Sequence, residues 1–236
     1  MTDTNVLAKF QEDTSSVLAK TLTGLIEGIT GVAASEKKEI CLSVGHLLQG
    51  LRKGKFLSQF LTEWNQYRAK GRIKEDYPNT EQHYTCIQEI LDFLDSDPPE
   101  KIRFDILKKI FLVAATEKVT DRNSLLPQQY MKVCRTLSSG EIIVLSTAYK
   151  LSQVSKLEYG KYNSADEWLK KIAEESGLIH PELVEIHEEE LIKKHLLSTR
   201  LCSDKSGIYV NPRFRLTSLG LDICNYIENY VEEKEV

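Results

Sequence analysis

The chain has 236 residues, 41% of them hydrophobic and 28% charged, with a formal net charge of −4. That is the make-up of an ordinary globular protein with enough apolar residues for one large core or two small ones, and it excludes wholesale disorder. Five cysteines, Cys41, Cys86, Cys134, Cys202 and Cys224, are odd in number and lack CxxC spacing, which excludes a zinc ribbon or a redox pair of that type. No signal-peptide pattern opens the sequence, so the expected setting is a reducing cytoplasm with free thiols.

Residues 1–135 read as a run of helices forming one domain. The most apolar stretch, Val17 to Ala34, is broken by Lys20 and Glu27, whereas a membrane span needs about 20 nearly uncharged residues. Leu18, Leu22, Leu25, Ile26 and Ile29 recur at amphipathic-helix spacing, and Gly24 and Gly28 would let a second helix pack closely. A helix over Lys37 to Leu51 follows. The next, Phe56 to Arg68, places Phe56, Phe60 and Trp64 on one face. Asn79, with Gln82 three residues on, predicts the cap of a helix whose buried stripe is Ile87, Ile90, Leu91 and Leu94. Asp97-Pro98-Pro99-Glu100 predicts another start, with an acidic cap and proline in the first turn. That helix carries Ile106, Leu107, Ile110, Phe111 and Ala114, a stripe wide enough for the centre of the N-terminal core.

After a break at Pro127, a short helix over Gln128 to Leu137 leads to Ser138-Ser139-Gly140-Glu141, a capping box that opens a helix through Leu151. Ser152 to Asn163 lacks periodicity and reads as a loop. Ser164-Ala165-Asp166-Glu167 is a further capping box, and Gly177 is placed to end its helix. His180-Pro181 starts a helix to about Leu197. Then the pattern changes: Thr199 to Cys202 and Ile208 to Val210 flank Asp204-Lys205-Ser206-Gly207, a turn that joins two strands. A last helix spans Ser218 to Val231, with Leu219, Ile223, Tyr226, Ile227 and Tyr230 spaced for burial.

Three helices, a two-stranded wing and a closing helix resemble the winged-helix superfamily. The stretch Phe214-Arg215-Leu216-Thr217-Ser218-Leu219-Gly220 is similar to the Leu-Thr-x-x-Gly exit from the wing seen in many of its members. The expected fold class is mainly α, with a helical domain over 1–135 and a winged-helix-like domain over 136–236. A second resemblance joins the helix from Pro98 to Glu117, Leu126-Pro127-Gln128-Gln129-Tyr130 and Leu137-Ser138-Ser139-Gly140-Glu141. Their order resembles Abi-alpha-like bacterial abortive-infection proteins over roughly the C-terminal half. It implies a role in bacterial antiviral defence.

A winged helix commonly reads DNA through its third helix. Here Glu182, Glu185 and Glu189 share the outward face of that helix, with Leu183, Val184, Leu191 and His195 expected toward the core. Carboxylates repel phosphates, and residues 136–236 hold 12 basic against 17 acidic residues, a net of −5. The acidic helix therefore reads as a protein-interaction face, for a partner protein or self-association. Nucleic acid is the second partner class, which would make the chain a DNA-binding transcription regulator. Its contacts would be Arg200, Lys205, Arg213 and Arg215 in the wing, and Arg52, Lys53, Lys55, Arg68, Lys70, Arg72 and Lys74 near Trp64 and Tyr67.

The residues weigh against catalysis. No phosphate loop, dinucleotide fingerprint, nucleophile elbow or HExxH pair is present. His187 and His195 are eight residues apart, which turns their rings about 80° from one another on a helix, so no metal site is expected there. His46 and His83 stand singly, and no cofactor is expected. An enzyme with a site assembled from distant residues is the third reading.

Overall fold

Phe104, Leu107, Ile110 and Phe111 are each at most 1% exposed, and the helix that carries them organises the first half of the fold. The computed structural model describes residues 52–96, 100–117, 120, 124–154, 162–205 and 207–232. The helices expected over Val17–Ala34 and Lys37–Leu51, the Gly24/Gly28 pair, Cys41, His46 and Asp97-Pro98-Pro99 lie outside the described residues. So do residues 155–161 of the expected loop. The chain forms two compact units: one runs to Arg135 and takes in Tyr230 onward, the other is Thr136–Asn229. Both are built mainly from helices, and a small antiparallel sheet completes the second.

The first unit comprises α1 (Arg52–Ala69), a short 3-10 turn (Tyr77–Asn79), α2 (Glu81–Ser96), α3 (Lys101–Thr116) and α4 (Leu126–Arg135). As the wide stripe predicts, α3 is central and packs against α1, α2 and α4. Each large apolar side chain it buries contributes about 1.5–3 kcal/mol. Phe56, Phe60 and Trp64 are buried from α1, joined by Leu57, Leu61 and Tyr67. His83 is a core ring, its centroid 5.5 Å from Trp64 and 5.6 Å from Phe111. From α2, Ile90 and Leu94 are buried with Cys86, Glu89 and Phe93, whereas Ile87 and Leu91 are half-buried.

Three helix starts differ from expectation. Thr80, not Asn79, caps α2, accepting from the His83 amide at 3.1 Å, because the 3-10 turn already uses Asn79. Glu100 is itself the N-cap of α3 and makes no side-chain capping bond. Pro127 falls in the first turn of α4 rather than breaking the chain before it, since proline needs no amide partner there.

The second unit contains α5 (Ser139–Val154), α6 (Ala165–Ser176), α7 (Pro181–Lys193), β1 (Cys202–Asp204), β2 (Gly207–Tyr209), α8 (Pro212–Arg215) and α9 (Ser218–Glu228). The Ser138 capping box forms in full and the Ser164 one in half. The Ser138 hydroxyl accepts from the Glu141 amide at 3.2 Å, and the Glu141 carboxylate accepts from the Ser138 amide. Ser164 accepts from the Glu167 amide, but the Glu167 carboxylate reaches back one residue further, to the amide of Asn163. Gly177 ends α6 with φ 74°, the left-handed conformation glycine favours.

Helix α7 stops four residues before the expected Leu197. The amide of His195 donates to Ile192 and that of Leu196 to Leu191, a Schellman closure with buried Leu191 and Leu196 making its apolar contact. His195 takes the left-handed position normally given to glycine, φ 58°, and is exposed rather than turned to the core. Because the stop is made by a histidine, no glycine announces it.

β1 and β2 pair antiparallel, with Cys202 opposite Tyr209 and Asp204 opposite Gly207; the first strand starts at Cys202, where the expected Thr199–Cys202 strand was to end. Tyr162, expected in a loop, bridges Val210 through reciprocal backbone bonds of 3.1 and 2.8 Å. The Leu-Thr-x-x-Gly stretch then has a physical account. Leu216 bridges Leu197, and the Thr217 hydroxyl caps α9 by accepting from the Gly220 amide while donating to the His195 carbonyl at 2.6 Å. Gly220 lies so close to the Leu196 carbonyl that an added Cβ would sit 2.2 Å from its oxygen. Ile223, Cys224 and Tyr226 are buried from α9, while Leu219 and Ile227 are half-buried. The helix ends at Glu228, so Tyr230 lies beyond it.

Candidate functional site

Helix α7 turns Val184, Glu188 and Leu191 inward, at the i, i+4, i+7 spacing of a buried stripe. Its opposite face is unusual. Glu182, Glu185 and Glu189 are exposed, and so are Leu183 and Ile186, the latter at 56%. At about 100° per residue these five positions form one continuous outward face, with Ile186 between the carboxylates and Leu183. Leu183 was expected in the core, but its direction differs by about 100° from that of Val184 next to it, and Val184 takes the buried place.

Ile179 lies in the turn before α7. It is 78% exposed and held at φ 65°, a left-handed conformation that β-branched residues almost never adopt. Such strain costs about 1–3 kcal/mol and concentrates at functional positions. Exposure gives it no compensating burial.

Inside the unit, Glu188 is a buried carboxylate rather than part of the solvated charge run. Its Oε1 accepts from the Trp168 indole N–H at 2.8 Å, and its Oε2 pairs with Arg215 Nη2 at 2.5 Å. Arg215 is therefore withdrawn from the expected phosphate contacts, because its guanidinium is buried against Glu188. Arg200, Lys205 and Arg213 are exposed in and around the two-stranded ribbon, as are Leu201, Ile208 and Phe214. His187 lies over Gly140 of α5, where an added Cβ would come within 2.1 Å of its ring. It is a packing residue of the α5–α7 contact.

The basic residues expected near α1 do not make a stacking platform. Trp64 and Tyr67 are buried in the core, so neither offers a ring face to a base. Lys55, Arg68, Lys70 and Lys74 are exposed, and the Arg72 guanidinium lies 5.5 Å over the Tyr67 ring. The side chains of Arg52 and Lys53 lie outside the described residues.

A polar groove of about 740 Å³ runs between α1 and α3. On its floor, Lys108 Nζ lies 2.6 Å from Glu63 Oε1 and 3.4 Å from Asp105, while the Tyr230 hydroxyl donates to Glu63 Oε2 at 2.8 Å. Burial and the neighbouring Glu63 carboxylate push the Tyr230 phenol well above its ordinary range. No group of three histidine, cysteine or acidic side chains suited to a metal ion occurs among the described residues. No described helix is long and apolar enough to cross a membrane.

The sequence reading missed Ile179, Leu183 and Ile186 as surface residues. One signal was there: α7 carries apolar residues around most of its circumference, more than one buried stripe can hold. The chain matches no protein-family model, no curated protein and no solved structure.

Proposed function

We propose that the chain is a non-catalytic interaction protein whose second unit is a winged helix used for protein contacts. The observation that carries this reading is the outward face of α7, where Leu183 and Ile186 stand exposed beside Glu182, Glu185 and Glu189, with Ile179 exposed two residues before the helix. Exposed apolar side chains bordered by charged ones fit a protein interface, whose core is apolar and whose rim is polar. Three carboxylates on the same face oppose a phosphate-lined groove. The complementary partner is a protein surface with an apolar ridge flanked by lysine or arginine. A role in bacterial antiviral defence belongs to the same proposal, and its support is the Abi-alpha-like layout of the sequence.

The second reading is a DNA-binding regulator, favoured by exposed Arg200, Lys205 and Arg213 around the wing. Fluorescence anisotropy against random duplex DNA, at low and moderate salt, separates the two. The protein-contact reading expects no binding at low salt. It also expects a partner, identified by cross-linking, that Leu183→Ser/Ile186→Ser and Glu185→Lys/Glu189→Lys both release while circular dichroism stays unchanged. DNA affinity that falls steeply with salt and is lost in Arg213→Gln would overturn it.

A further inference from the structure

The surface that the α7 face requires, apolar and flanked by lysine or arginine, is carried by this chain itself. Resting on the protein-contact reading above, we propose that the partner is a second copy of the chain, with the α7 face of one copy docked on the ribbon region of another. Within α7, Glu188 is paired with Arg215 and Glu190 with Lys193, so exposed Glu182, Glu185 and Glu189 leave a surplus of three negative charges. Over residues 199–217 the balance is reversed. Arg215 is buried against Glu188, and exposed Arg200, Lys205 and Arg213 stand against the single carboxylate of Asp204, a surplus of two positive charges.

Exposed apolar side chains accompany both surpluses. Leu183 and Ile186 point within about 60° of one another on α7. In the ribbon region Leu201, Ile208 and Phe214 are each more than half exposed. Arg200 directly precedes Leu201, and Arg213 directly precedes Phe214. Ser198 holds these two stretches together, its hydroxyl donating to the Phe214 carbonyl at 2.6 Å and its amide to the Arg215 carbonyl at 2.7 Å. Ile208 stands opposite Ser203 in the ribbon, whose turn carries Lys205. Among the described residues, none of the six exposed charges forms an ion pair within the chain. Like surfaces cannot satisfy one another: two α7 faces set carboxylates against carboxylates, and two ribbons set cations against cations. Pairing α7 with the ribbon of another copy matches charge and covers apolar side chains on both sides.

Sedimentation velocity of the full chain over a range of concentrations, at low and moderate salt, tests the pairing. Concentration-dependent association that weakens with salt is expected. Glu185→Lys/Glu189→Lys and Arg200→Glu/Arg213→Glu are each expected to weaken it at least about ten-fold. An equimolar mixture of those two variants is expected to associate about as tightly as the unaltered chain, because each reversed surface then meets its opposite. A monomer at every concentration overturns the proposal, as does a mixture that stays dissociated while circular dichroism shows both variants folded. Where a double variant melts, Glu185→Gln and Arg213→Gln read the same dependence through a smaller change. A monomer whose α7 variants still release a cross-linked partner overturns the second copy alone and leaves the protein-contact reading standing. DNA affinity lost in Arg213→Gln, without self-association, overturns both.

Discussion

Arg215 reaches Glu188 at 2.5 Å in the interior of the second unit, with both side chains nine-tenths buried. The pair ties α8, just after the ribbon, to the middle of α7. Trp168 secures it by donating its indole N–H to the other carboxylate oxygen. A buried pair of this kind adds little net stability over an apolar substitute, but removing one member leaves a charge stranded away from water. Glu188→Gln, which keeps an acceptor for Trp168, is expected to lower the unfolding free energy by about 3 kcal/mol in urea titration. Glu188→Leu/Arg215→Met should recover most of that loss. Glu182→Gln, on the exposed face, should change stability by less than about 0.5 kcal/mol.

Two glycines separate backbone from side-chain crowding. At Gly220 a methyl group would meet the Leu196 carbonyl, which is backbone and cannot yield, so Gly220→Ala is expected to cost about 3 kcal/mol. At Gly140 the obstacle is the half-buried His187 ring, which can turn aside. Helix propensity there offsets part of the crowding, so Gly140→Ala should cost no more than about 1 kcal/mol. Thermal melts of the two variants would show the contrast.

The left-handed residues predict opposite effects on stability and binding. His195→Gly relieves strain in the Schellman closure and is expected to raise stability by roughly 0.5–1 kcal/mol. Ile179→Asn removes the same strain and should stabilise by about 1 kcal/mol while weakening partner capture, because the exposed isoleucine is lost. If Ile179→Asn neither stabilised the fold nor weakened capture, the strained isoleucine would have no place in the interaction surface.

Thiol chemistry follows burial. Cys86 is pushed from 9.0 up to about 12 by burial, with the Glu89 charge adding to it, and Cys224 up to about 12 by burial with Glu228. Both thiols stay protonated in the folded state well above the pH at which they ionise when unfolded. Their contribution to stability is therefore complete below about pH 9 and declines as the pH rises toward 12. At pH 8, iodoacetamide should modify half-exposed Cys202 first and reach Cys86 and Cys224 only at the rate of unfolding, as read by mass spectrometry. Equal labelling of all three would contradict this packing.

Much of the helical layout was legible because its signals are local. Ser138 with Glu141, Ser164 with Glu167, and Gly177 each work through backbone groups within a few residues, so their consequences can be read without knowing the fold. The central place of α3 was legible for a related reason: a stripe that wide can only be covered from several sides. Closure of the ribbon at Gly207, φ 124°, is likewise dictated by a residue whose backbone tolerates that turn.

By itself the sequence determined the helices whose ends carry local caps, the ribbon and the acidic character of α7. Tertiary structure alone decided which charges and apolar residues of those elements meet water. Glu188 reads as one of three consecutive glutamates until Arg215 and Trp168 are brought to it. Leu183 reads as core until Val184 and Leu191 fill the single face that α7 can bury. The groove of Glu63, Lys108 and Tyr230 joins residues from three distant parts of the chain. A cap needs only a neighbouring amide. A buried charge needs a counter-charge that the local chain does not contain, so its fate follows from the fold as a whole.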